Sequence, residues 1–116
     1  SATRVAVAIS SGCAVGIDVE DVVGPRTGAE WTSNQLERWT ATEAALKAVG
    51  EGLQSVGRVL LEPDLATARV GAVTVRLRVL SLGAGLVARL ATVGEVNRVC
   101  VEEVIPARPG LRPAAQ

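Results

Sequence analysis

Histidine is absent from the 116 residues, as are Phe, Tyr and Met, and the aromatics reduce to Trp31 and Trp39. Without imidazole there is no Ser-His or Cys-His nucleophile and no imidazole-held transition metal, so any chemistry must run on carboxylates, Lys, Arg and hydroxyls. The shortage of aromatics leaves no platform on which bases would stack. Lys plus Arg equal Asp plus Glu at 12 each, so no net charge draws the chain to nucleic acid or to an anionic membrane. No apolar run approaches the roughly 20 residues that span a bilayer, and the start carries no signal-peptide pattern, so the expected location is the cytoplasm. Cysteine is scarce too. Cys13 and Cys100 lie far apart with no C-x-x-C partner, and they are expected as buried, reduced thiols, not as a zinc or redox site.

What remains is a chain of one-domain length whose 48% hydrophobic content comes mostly from Val, Ala and Leu. Such a core has few bulky anchors, and its active surface is expected to lean on a neighbouring subunit or domain. Residues 4–9 and 14–20 read as two strands joined by the turn Ser10-Ser11-Gly12, and 21–31 as a loop. Helical spacing of Leu36, Trp39, Ala44, Leu46 and Ala48 predicts a helix from Thr32 or Ser33 to about Val49, ended by Gly50 and Gly52. Thr40 with Glu43 has the form of a capping box, which would split that helix in two. Further strands are expected at 57–62, 66–70, 73–80, 85–92 and 96–104. The domain is expected to fill residues 1–105, with 106–116 a Pro-rich tail unordered without a partner. The fold class is therefore α+β, an antiparallel sheet packed against one or two helices.

Two short segments carry the chemistry. In Gly16-Ile17-Asp18-Val19-Glu20 the two acids are two apart in an apolar, β-branched setting, so on a strand both carboxylates leave the same face. Glu43 and Lys47 are four apart in an Ala/Leu-rich stretch and share one face of a helix. Packing that helix on that strand would build an all-oxygen cage for a hard divalent cation with an ammonium beside it, suited to Mg²⁺ and a diphosphate. A plainer reading stands beside this one: Asp18 and Glu20 as the solvated face of an edge strand, Glu43 as the partner of Thr40 and as an i to i+4 pair with Lys47.

The two segments resemble the signature of the 4′-phosphopantetheinyl transferases, G-[VI]-D-[VIL]-E and, downstream, W-x-x-K-E-[AS]-x-x-K-A-x-G-x-G-L. The first half is complete here, and the second reads Trp39-Thr-Ala-Thr-Glu43-Ala-Ala-Leu-Lys47-Ala-Val-Gly-Glu-Gly-Leu53. The resemblance covers residues 3 to 55 closely. It implies a transferase-like fold, Mg²⁺ held by Asp18, Glu20 and Glu43, Glu43 or a metal-bound water as base, and Lys47 on the phosphates of coenzyme A. Gly50 and Gly52 would admit the pantetheine arm, and Trp39 would be structural. The pattern departs at Thr42, where the family has a phosphate-binding lysine, and the stretch between Glu20 and Trp39 is shorter than usual and lacks the family's Phe-x-x-x-E helix. The family's upstream histidine is missing too.

The implied activity is Mg²⁺-dependent transfer of 4′-phosphopantetheine from coenzyme A to a serine of an acyl or peptidyl carrier protein. The short length combined with the wording of the longer, two-half enzymes implies the motif-bearing half of such an enzyme or a domain of a larger synthase, completed by a partner lobe or a second copy. The alternative is a non-catalytic scaffold or oligomerisation domain that keeps the fold.

Overall fold

The computed structural model describes residues 6–23 and 31–104. Strand β1, Ala14–Asp21, leads to helix α1, Ser33–Val49, and a 3₁₀ helix, Leu53–Arg58. Four strands follow: β2 at Val59–Leu61, β3 at Thr67–Val70, β4 at Val73–Leu80 and β5 at Leu86–Val93. They form one five-stranded sheet in the order β1-β5-β4-β3-β2, and every neighbouring pair is antiparallel. The α+β class expected from the sequence is the one observed.

Helix α1 is continuous and capped at both ends. Thr32 accepts a hydrogen bond from the Gln35 amide at 3.1 Å, and the Gln35 side chain accepts one from the Thr32 amide at 2.8 Å, a reciprocal capping box. At the far end Gly50 takes the left-handed conformation at φ 73°, which a residue with a side chain adopts only at a cost. The expected break at Thr40 does not occur. Thr40 is fully buried and donates its hydroxyl to the Leu36 carbonyl at 2.7 Å, so it serves its own helix and not a cap for Glu43.

The core explains why the chain can do without bulky residues. Ala41, Ala44, Ala45 and Ala48 recur at i, i+3, i+4 and i+7, and all are buried against Ala68, Val70, Val75, Leu77 and Ala91 of the sheet. Alanines hold the helix axis close to the strands. The approach is tightest at Gly16, where a Cβ would run into the backbone of α1 at Ala44 O and Ala48 N and come within 2.8 Å of the Lys47 carbonyl carbon.

Several expectations need correction. The strand at 4–9 is not formed over its described residues 6–9, and positions 4 and 5 lie outside the described set. The turn that was to join it to β1 is present, with Ser10 Oγ accepting from the amides of Gly12 and Cys13, each at 3.3 Å. Residues 96–104 form no strand either. Here Arg78 reaches across to the Val96 carbonyl at 3.1 Å, a side-chain tether in place of a backbone ladder. The start of the 57–62 strand belongs to the 3₁₀ helix. Cys13 is half-buried and Cys100 exposed, so neither is a buried core thiol. The 24–30 part of the expected loop and the Pro-rich tail at 106–116 lie outside the described residues.

Gly16→Val should lower stability by about 1–3 kcal/mol, because the added carbons have no space between β1 and α1. Chemical denaturation measures this, and a variant with the wild-type midpoint would show that the helix does not rest on Gly16.

Candidate metal centre

Gly16, Asp18 and Glu20 alternate along β1 and share the face that α1 covers. Because α1 lies directly on Gly16, the next residue on that face is carried under the last turns of the helix. Asp18 is 5% exposed, and Lys47 of α1 donates to its Oδ1 at 3.0 Å and to the Ile17 carbonyl at 3.1 Å. Glu43, one turn earlier, and Glu20, two residues along the strand, are half-buried. One oxygen from each of Asp18, Glu20 and Glu43 lies within 4.8 Å of the others. The sequence expectation that a strand pair and a helix pair meet is thus realised in this geometry.

The electrostatics favour an added positive charge. With Glu43 ionised, Asp18 Oδ2 is buried with no hydrogen-bond donor. The Glu43 carboxyl is pushed from 4.5 up to about 7, first by its burial, then by a hydrogen bond shared with Asp18 and by the negative charges of Asp18 and Glu20, while Lys47 pulls the other way. A proton on Glu43 and a cation among the three oxygens are two answers to the same crowding. Oxygens on one octahedral Mg²⁺ ion are about 3 Å apart when adjacent and about 4.2 Å when opposed, so the side chains would draw closer to share one ion. An all-carboxylate donor set suits a hard divalent cation.

Lys47 contacts Asp18 across 29 residues of sequence, whereas the spacing alone pointed to Glu43. Its ammonium is half exposed, which leaves it open to an anion arriving from solvent. Thr42, at the position where the resembled pattern has lysine, is buried and donates its hydroxyl to the Arg38 carbonyl at 2.8 Å. That position offers no charge. Gly50 and Gly52 follow Lys47 at the helix exit; open space surrounds the place where a Gly50 Cβ would sit, while the Gln54 side chain stands over Gly52. Trp39 is half-buried and meets Trp31 edge to face with centroids 5.5 Å apart, a structural contact in the first half of the helix.

One charged residue of this region was not singled out from the sequence. Arg89 of β5 pairs directly across the ladder with Asp18, is 8% exposed, and donates through Nη2 to Glu37 of α1 at 2.8 Å. A lone arginine inside the apolar stretch Leu86-Val-Ala-Arg-Leu-Ala-Thr-Val93 is the signal that would have found it.

Comparison with known proteins finds no matching family model, no matching curated protein and no matching solved structure.

Because folding raises the Glu43 pKa, the stability it contributes is full below 4.5 and is lost as the pH rises through about 7. Melting curves in chelator at about pH 5 and about pH 8 test this. Glu43→Gln should leave the first nearly unchanged and raise the second; a variant that gains nothing at the higher pH would remove Glu43 from the crowded trio.

Proposed function

We propose that the chain transfers 4′-phosphopantetheine from coenzyme A to a serine hydroxyl of an acyl or peptidyl carrier protein, with Mg²⁺ as cofactor. The observation that carries this reading is the meeting of Asp18, Glu20 and Glu43 beside Lys47, from two segments that together match the transferase signature except at Thr42. A Mg²⁺ ion held by the three carboxylates would supply neutralisation of the diphosphate charge.

The chain's own groups divide the remaining work. Glu43, ionised when a cation is held beside it, is suited to take the proton of the serine hydroxyl. The serine oxygen then bonds to the phosphorus that carries pantetheine, and the bond from that phosphorus to the departing 3′,5′-ADP breaks. Lys47 holds the negative charge left on the departing phosphate. The open backbone at Gly50, just beyond Lys47, gives the pantetheine arm room at the helix exit. A partner lobe or a second copy of the chain completes the pocket for the nucleotide, and the buried, uncharged Thr42 means that any second phosphate-binding cation comes from another position. The cytoplasm, where coenzyme A and carrier proteins meet, is the setting this activity requires. Among the described residues no helix is long and apolar enough to cross a membrane.

Incubation with Mg²⁺, coenzyme A and a set of apo carrier proteins, with any partner lobe supplied, should add the mass of one phosphopantetheinyl group to a carrier. Asp18→Asn should slow that transfer on the order of 10²-fold or more. Its melting in chelator should change little, because the half-exposed Lys47 keeps its access to water. Transfer at the full rate by the variant would remove Asp18 from the chemistry. Absence of both transfer and calorimetric coenzyme A binding in the wild type would favour a non-catalytic scaffold that keeps this fold.

A further inference from the structure

We propose that Arg89 is a positioning residue of the cation site: its ion pair with Glu37 fixes α1 on β5 and so sets how far Glu43 stands from Asp18. The inference rests on the reading of Asp18, Glu20 and Glu43 as a cation site, and Arg89 itself touches neither substrate nor metal in it.

Helix α1 is tethered to the sheet by two charged pairs, Glu37 to Arg89 at 2.8 Å and Lys47 to Asp18 at 3.0 Å. Ten residues separate the two helix positions, about 15 Å along the axis, and Glu43 falls between them. On the sheet the two anchors are neighbours, since Arg89 and Asp18 face each other across the β1–β5 ladder and leave the same face. The helix position of Glu43 is therefore governed from both sides. When a cation takes the Asp18 oxygens, the ammonium of Lys47 is displaced from them by like charge. Beside the apolar seat of α1 on the sheet and the Lys47 bond to the Ile17 carbonyl, the ion pair that then remains is Glu37 to Arg89.

Stability alone does not account for Arg89. A buried ion pair is often no better for stability than an apolar pair of the same size, and the rest of this strand's buried set is Ala, Leu and Thr. Its Nε is buried with no hydrogen-bond partner, so the side chain is held in place at a cost that a hydrophobic residue would avoid. Beside both elements that carry the three carboxylates, β1 and α1, that cost obtains a fixed spacing. It also places a permanent positive charge across the ladder from Asp18.

The test compares Mg²⁺ with Ca²⁺ binding by calorimetry on the full chain, with melting in chelator measured in parallel. Mg²⁺ demands near-ideal octahedral spacing and Ca²⁺ tolerates irregular cages. Arg89→Met should weaken Mg²⁺ binding about 10-fold to 100-fold and Ca²⁺ binding much less, and adding Glu37→Gln should weaken it no further. Arg89→Lys keeps the charge and loses the planar fork, so it should show the same change in preference at smaller size, and it provides the comparison if the Met variant does not fold. A folded variant with wild-type affinity and preference would overturn the proposal, as would equal weakening for both ions in step with lost stability. A wild type that binds neither ion would instead overturn the cation site itself.

Discussion

The close seat of α1 on Gly16 is the contact on which everything else depends. It requires a strand residue with no side chain and a helix face made of alanines, and the chain supplies both at matching positions: Gly16 below, Ala41, Ala44, Ala45 and Ala48 above. A helix so close to the sheet leaves no room for aromatic or methionine side chains. The composition and the geometry are thus one fact seen twice. The same closeness brings Asp18 beneath Lys47 and within reach of Glu43, so a packing requirement becomes a chemical one.

The charges collected there are in tension. Asp18 is buried with one oxygen lacking a donor when Glu43 is ionised, and Glu43 holds its proton up to about 7 because it is partly buried and two other carboxylates stand nearby. Lys47 relieves part of this from one end of the helix. A protein selected only for stability has no reason to gather such groups in a fold this small, since removing like charges or replacing them with apolar residues is the easier route. A carboxyl raised toward neutrality among two others and a lysine suits phosphoryl-group chemistry, and the sequence resemblance points to one such reaction.

Local rules were readable where the chemistry is local. Val73-Thr-Val-Arg-Leu-Arg-Val-Leu80 alternates cleanly and is β4 to the residue, and Thr32 and Gly50 delimit α1 because capping needs only a hydroxyl at one end and a left-handed residue at the other. The pairing of Asp18 with Glu43 was legible because two segments matched one pattern. Tertiary choices were not. Residues 96–104 have the composition of a strand, yet their link to the sheet runs through the Arg78 side chain, and no periodicity reveals that. Thr40 and Glu43 have the letters of a capping box, but a threonine hydroxyl can equally serve its own helix, as this one does with Leu36. Arg89 was missed because a single charge in an apolar strand has no partner visible in sequence; Glu37 lies 52 residues away.

The most direct test of the account is a crystal of the chain soaked in Mn²⁺ in place of Mg²⁺ and measured at the manganese absorption edge. The account predicts an anomalous peak bonded to oxygens of Asp18, Glu20 and Glu43, with the Lys47 ammonium moved off Asp18. Full soaking that leaves this position without a peak, with Lys47 still bonded to Asp18, would contradict it.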